Sequence, residues 1–207
     1  MEIEDKIISY LVETYQPDAI ITYGSFADNS ENMNSDFDAL VIANCIKKHD
    51  TSVIENTVLD VFVYPLEMFQ SDYDPEDFLQ VFDGKIILDK SGAAEQLKTR
   101  VLDYIEHITP KTSDDIRQEL DWCEKMAART SREDAEGYYR WHWVLVDSLE
   151  IYCDVRGRYF YGPKKTLRFM AQTDAEAFQI YSKALKELNR KYLSEWIAYL
   201  RMLSTSK

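Results

Sequence analysis

The 207-residue chain is short of three things: cysteine, basic charge and long apolar runs. Cysteine occurs three times, at Cys45, Cys123 and Cys153, an odd number at wide spacing. That pattern supplies neither a disulfide framework nor a metal-ligand cluster, and it fits a reducing compartment. Lysine and arginine number 24 against 37 acidic residues, a formal net charge of −13. Such a balance disfavours nucleic acid and anionic membrane as partners, since both attract basic surfaces. It is compatible with a cationic small molecule. No apolar stretch reaches the ~20 residues that a membrane-spanning helix needs. The opening "MEIEDKIISYLVE" is acidic where a secretory signal is basic. There is no internal repeat and no low-complexity segment. The expectation is a soluble cytoplasmic protein whose 45% hydrophobic content suffices for a core.

What is present divides the chain in two. Ile3, Ile7, Ile8 and Leu11 recur at helical spacing and predict an opening amphipathic helix. Four β-rich runs follow: "AIITY" (19–23), "DFDALVIA" (36–43), "TVLDVFVYP" (57–65) and "GKIILDKSG" (84–92), closed by glycine or proline. After Gly92 strand signals nearly vanish. "TSDDIRQELDWCEKMAART" opens with capping residues and carries Ile116, Leu120, Cys123 and Ala127 on one face. The next segment starts with Ser131 and Asp134 in a capping-box-like spacing and stops near Gly157. The segment from Thr173 onward is helix-rich. The expected fold class is α+β: a small mixed β-sheet domain with helices over 1–92, then a C-terminal helical bundle over 93–207.

The chemistry concentrates in "ITYGSFADNSENMNSDFDALVIA" (21–43). Strand alternation puts Asp36 and Asp38 on one face and Phe37 on the other. Two carboxylates so close repel, and a divalent cation relieves the repulsion. Hard paired oxygens suit Mg²⁺, which takes one or two carboxylates plus substrate phosphate oxygens. Upstream, Gly24-Ser25 follows a strand and leads toward a helix, a place where backbone N–H groups donate to an anion and the Ser25 hydroxyl adds a donor. Asp60 sits mid-strand between Leu59 and Val61, where a carboxylate has little structural reason to be. If its strand pairs beside that of Asp38, it meets the same site, either as a third metal ligand or as the base for an attacking hydroxyl.

Gly24-Ser25, ten intervening residues, Asp36-Phe37-Asp38 and the later Asp60 together resemble the nucleotidyltransferase superfamily. The stretch "YGSFADNSENMNSDFDALVI" is similar to its small bacterial branch, which includes the aminoglycoside nucleotidyltransferases. One departure stands out: Asp28-Asn29 occupies a place where that branch often has glycine, and Asn tolerates positive φ. The resemblance implies a nucleotidyltransferase domain that uses Mg²⁺ and ATP as co-substrate, with AMP passed to a hydroxyl of a small cationic acceptor such as an aminoglycoside antibiotic. Farther on, "LEIYCDVRGRYFYGPKKTLRFM" is similar to the C-terminal domain of streptomycin/spectinomycin-type adenylyltransferases. There a lysine after the proline reaches the triphosphate, which implies that role for Lys164, with Lys165 the other candidate.

Asp147, Glu150 and Asp154 fall at helical steps after Trp143 and form an acidic stripe. The resemblance makes this a wall for a polycationic acceptor, while composition favours an ordinary solvated face. Arg100 and His107 match the spacing of the Arg–His motif of HEPN-type ribonuclease toxins, a match that any long helix supplies by chance. The rival function is regulatory: a minimal, antitoxin-like nucleotidyltransferase that modifies or binds a protein partner. Intact carboxylates argue against a silent binder.

Overall fold

The computed structural model of the chain describes residues 2–132 and 134–205. Two compact units divide between Ile108 and Thr109. In the first, α1 (Ile3–Tyr15) buries Ile7 and Leu11, and its start is tied by the Glu2 N–H donating to Asp5 at 3.1 Å. Then come β1 (Ala19–Thr22), α2 (Gly24–Ala27), β2 (Phe37–Ala43), β3 (Lys48–Asp50), β4 (Val53–Ile54), β5 (Thr57–Pro65), α3 (Leu66–Phe69), a 3-10 turn (Pro75–Val81), β6 (Lys85–Asp89) and α4 (Ala93–His107). The main sheet runs β3-β5-β2-β1-β6, and β4 pairs with β5 as a short hairpin arm. The β2–β5 pair is parallel and the other pairings are antiparallel. This is a mixed sheet in an α+β fold.

Alternation sorts the sheet residues to two covered faces. Phe37, Ala39, Val41 and Ala43 of β2, with Leu59, Val61 and Val63 of β5, pack against Ile7 and Leu11 of α1. Leu40 and Ile42, with Ile21 and Tyr64, pack on the other side against Phe78, Ala94, Leu97 and Val101. A sheet covered on both faces explains why β1 and β2 read as near-continuous apolar runs. Asp38 and Asp60 belong by alternation to the second face, two residues before Leu40 and Phe62, at the rim of that core.

Helix α4 packs on β1, β6 and the 3-10 turn. The first unit therefore extends to Ile108, whereas the sequence placed the boundary after Gly92. The hairpin of β4 and β5 was also absent from the sequence reading. Its turn residues Glu55 and Asn56 both hold positive φ, 50° and 70°. That is the backbone of the tight hairpin turn that Asn-Gly ordinarily signals.

The described residues of the second unit form α5 (Ser113–Arg129), a 3-10 turn (Thr130–Arg132), α6 (Ala135–Arg156), α7 (Pro163–Thr173), α8 (Ala175–Lys186) and α9 (Arg190–Thr205), with no strand. Thr112 caps α5 as its sequence suggests. For α6 the cap is Asp134, which accepts from the Gly137 N–H at 2.8 Å. Ser131, expected to cap it, lies in the preceding turn and donates to the Ala128 carbonyl at 3.0 Å. The bundle core centres on Trp196, fully buried, whose indole N–H donates to Ser148 Oγ at 2.8 Å. Asp174 joins α7 and α8 and accepts from Tyr152 (2.8 Å), Tyr199 (2.9 Å), the Ala177 N–H (3.2 Å) and Arg156. No described helix is long and apolar enough to cross a membrane.

Candidate functional site

The site is assembled by one turn and one strand pair. β1 ends at Thr22, and Tyr23 follows in extended conformation. Gly24 then turns the chain with φ +66°, a region that L-residues with a Cβ avoid. A Cβ built on Gly24 would lie 2.2 Å from Asp38 Oδ2 and 2.9 Å from its Cγ. The glycine therefore serves twice: it permits the turn and lets the backbone come up against the Asp38 carboxylate. A second link is the Tyr23 N–H, which donates to the Asp38 carbonyl at 3.1 Å. Ser25 is buried in the four-residue α2, and its carbonyl accepts from the Ser30 N–H at 2.9 Å. Asn29, standing where glycine is common, takes φ 55° and completes the turn.

Parallel pairing of β2 and β5 makes Asp38 and Asp60 register partners. Adjacent strands lie about 4.8 Å apart, so the two carboxylates share one rim of the sheet. Both are half-buried. Asp36 is exposed and precedes β2 by one residue. Among the described residues, no three His, Cys, Asp or Glu side chains gather as a ready metal cluster. What the fold brings together is the pair Asp38 and Asp60, with Gly24 against the first.

Two neighbours of this pair escaped the sequence reading. Tyr23 is buried, and its hydroxyl is pushed well above the ordinary tyrosine range, first by burial and then by the charges of Asp38 and Asp60. It stays a neutral phenol beside the acids. On the other side His49 of β3 lies within 2.7 Å of Asp60, from Nε2 to Oδ1. Its ring is stacked on Phe62, with centroids 4.3 Å apart and planes 3° apart. "TYGS" and "KKHD" hold the only sequence hints, a tyrosine before the turn and a histidine in a polar run; neither points to a carboxylate without the sheet register.

The residues fit Mg²⁺ in their chemistry. Paired hard oxygens suit it, and Mg²⁺ needs only one or two carboxylates when substrate phosphates supply further ligands. Gly24 has no Cβ to collide with the Asp38 carboxylate, so that carboxylate can stay against the turn where an ion would be held.

In the second unit, Lys164 is exposed in the first turn of α7, directly after Pro163, and Lys165 is half-buried. The acidic stripe on α6 differs from a plain solvated face. Lys111 sits on it, 2.6 Å from Glu119, 2.9 Å from Asp154 and 3.6 Å from Glu150. Lys111 itself lines an open cleft of about 440 Å³, together with Glu119, Trp122, Trp143, Asp147 and Glu150. Burial raises the Asp147 carboxyl, against the opposing hydrogen bond from Trp143. His142 is exposed. In the first unit, Arg100 lies over the Tyr73 ring at 4.0 Å and pairs with Asp72 at 3.0 Å, and His107 bonds its own helix at the Asp103 carbonyl, 2.7 Å away. Both have local structural partners.

No family model matches the chain, and no curated protein matches it. Among solved structures it is similar to a nucleotidyltransferase-like protein from Exiguobacterium sibiricum 255-15, at 15% identity and a TM-score of 0.43 over 99% of this chain and 74% of that one. It is also similar to a toxin-antitoxin structure with AMP-PNP, at 20% identity and a TM-score of 0.33 over 51% of this chain and 88% of that one. Likenesses this remote leave the chemistry to the residues themselves.

Proposed function

We propose that the chain is a Mg²⁺-dependent nucleotidyltransferase that passes AMP from ATP to a hydroxyl of a small cationic molecule, of which an aminoglycoside is the model. The observation that carries this reading is the Gly24 turn pressed against Asp38, with Asp60 in register on the neighbouring strand. A buried core can tolerate two adjacent carboxylates at its rim, but nothing in packing asks for them.

In this reading Asp38, with Asp36 just ahead of β2, would hold the ion. Bound Mg²⁺ would neutralise charge on the transferring phosphoryl group. The Gly24-Ser25 backbone would lie along the phosphates. Asp60 serves as proton acceptor or as third ligand. The acceptor's O–H bond breaks and its proton goes to a carboxylate. Its oxygen bonds to the α-phosphorus, and the bond to the β-phosphate oxygen breaks with the electron pair leaving on pyrophosphate. Tyr23 lies buried near both acids as a neutral phenol.

The second unit, taken by itself, has a cleft whose chemistry suits an organic ammonium ion. The cleft of the second unit combines carboxylates with Trp122 and Trp143, which meet edge to face at 5.1 Å. Acids and indole faces are the groups that hold organic ammonium ions. That an internal ammonium, Lys111, already lies against Glu119 and Asp154 fits the same chemistry.

The test is mass spectrometry of a panel of aminoglycosides and other amino-alcohols after incubation with ATP and Mg²⁺, looking for an added AMP. Asp38→Asn should lower transfer by at least about 10²-fold while the protein stays folded, since charge stabilisation at a phosphoryl centre is the main catalytic effect there. A fully active Asp38→Asn protein overturns the proposal.

A further inference from the structure

Asp60 has a neighbour on β3 that fixes the orientation of its carboxylate. We infer that His49 is the positioning residue for Asp60, and that its hydrogen bond holds the carboxylate turned to take the acceptor's proton. This inference rests on the proposed transferase function.

Three observations converge on His49. It stands on β3 as the register partner of Phe62, one strand over from Asp60. The Phe62 ring lies flat beneath its imidazole, with a 3° angle between planes, which restrains rotation of the ring. The next residue, Asp50, is buried on the other face and nails β3 down. It accepts from Tyr15 at 2.6 Å and Tyr10 at 3.1 Å, both on α1, and from the Ser52 N–H at 3.0 Å. The imidazole is thus held from below by a ring and from behind by its strand.

From that fixed position Nε2 reaches Asp60 Oδ1 at 2.7 Å. An ionised carboxylate only accepts, so Nε2 carries the hydrogen and donates it. The bond fixes the carboxylate's rotation about its last torsion, which is otherwise broad. It also engages one carboxylate oxygen, which opposes chelation through both oxygens and leaves the other free to take the proton. A structural motive for the pair is weak. Both side chains are close to half exposed, 46% for His49 and 43% for Asp60, and exposed pairs contribute little to stability. Asp60 also lies beside a like charge, its register partner Asp38. A donor on the open side holds the carboxylate in one orientation against that repulsion.

The experiment compares wild type with His49→Ala, His49→Gln, Asp60→Asn and Asp60→Ala. It reads kcat and KM for AMP transfer and, by titration calorimetry, the Kd for ATP–Mg²⁺. His49→Ala should lower kcat by roughly 10- to 100-fold, part of the ~10²–10⁴ that a positioned base supplies, and leave the Kd within about twofold. His49→Gln, whose amide nitrogen can donate as Nε2 does, should recover most of the loss. Nitrogen-15 spectra of the histidines should show the Nε2–H tautomer at His49, lost in Asp60→Ala. A His49→Ala kcat within twofold of wild type overturns the inference, as does equal loss in the alanine and glutamine variants. A Kd that weakens in step with kcat makes Asp60 a metal ligand and overturns it too. Wild type without transfer to any acceptor removes the proposed function itself, and this inference with it; wild-type transfer that survives His49→Ala removes the inference alone.

Discussion

Gly24→Ala is the sharpest single perturbation of the site, because its consequences divide cleanly between fold and chemistry. At φ +66° an alanine pays the left-handed strain of about 1–2 kcal/mol. Its Cβ would also stand 2.2 Å from Asp38 Oδ2, 2.9 Å from Cγ and 3.3 Å from Cβ. The close atoms are the far end of a side chain, so the carboxylate swings away by about 1 Å rather than the sheet giving way. Carbon–oxygen contacts need that much more room. A loss of about 1–3 kcal/mol is survivable against the 5–15 kcal/mol of an ordinary domain. For chemistry the same shift is severe, since a misplacement of about 1 Å costs on the order of 10²-fold in rate. The assay is AMP transfer followed by mass spectrometry, beside thermal unfolding. Gly92→Ala is the control: its φ is +84°, yet nothing lies within 4 Å of a Cβ there. It should show comparable strain and normal turnover. Gly24→Ala turning over within about threefold of wild type would refute the claim that Gly24 exists to let the backbone reach Asp38.

Asp60→Asn should reduce turnover by ~10²–10⁴ while ATP–Mg²⁺ affinity falls only modestly; calorimetry set beside kinetics reads this, and a parallel fall of both marks a ligand instead. Asp174→Asn should destabilise the helical unit by about 2–4 kcal/mol in urea unfolding, because Arg156, Tyr152 and Tyr199 lose a buried charged acceptor. Its pH dependence has a fixed sign. Burial alone would raise the Asp174 carboxyl, but the hydrogen bonds from Arg156, Tyr152, the Ala177 amide and Tyr199 outweigh it and hold it below the usual range. The stability it contributes is therefore complete above the unfolded value of about 3.9 and is lost as pH falls through the lower folded one. The gap between wild type and Asp174→Asn should be widest near neutral pH and close on acidification; a gap that is flat from pH 7 to 3 contradicts the assignment.

Local features of the fold were legible because local physics decides them. Alternation around Asp38 and Asp60 announced two strands with an acid on one face each, and both strands formed. Thr112 and Gly157 marked helix ends that the structure has, and Asn29 supplied the positive φ its type allows. What stayed hidden is non-local. The spacing of Ala94, Leu97 and Val101 tells of a helix, but not that it packs on β1 and β6 and so moves the unit boundary to Ile108. "KKHD" has no apolar period, and β3 exists because Asp50 finds Tyr10, Tyr15 and Ser52 on folding. The apposition of His49 and Asp60 depends on the β3–β5 register, which no local pattern encodes. The acidic stripe read as solvated for the same reason: Lys111, far from it in sequence, lands on it.

The parallel pairing of β2 and β5 explains how the chain sustains two carboxylates at one rim. Phe37 faces Leu59, Ala39 faces Val61 and Val41 faces Val63 in register, and all six are fully buried. A slip of one residue would turn one strand's apolar set away from α1 and put its aspartate on that apolar face instead. Burying large apolar side chains contributes about 1.5–3 kcal/mol each, so the register is held by several kcal/mol. Two half-solvated carboxylates a strand apart repel by about 1 kcal/mol in water and up to about 4 kcal/mol where the effective dielectric constant is near 20. Packing wins at either limit. The apolar residues of the α1 face thus set the register, and alternation then places Asp38 and Asp60 side by side on the opposite face. What repulsion remains is eased by the His49 hydrogen bond to Asp60, and a metal ion held at Asp38 would ease it further.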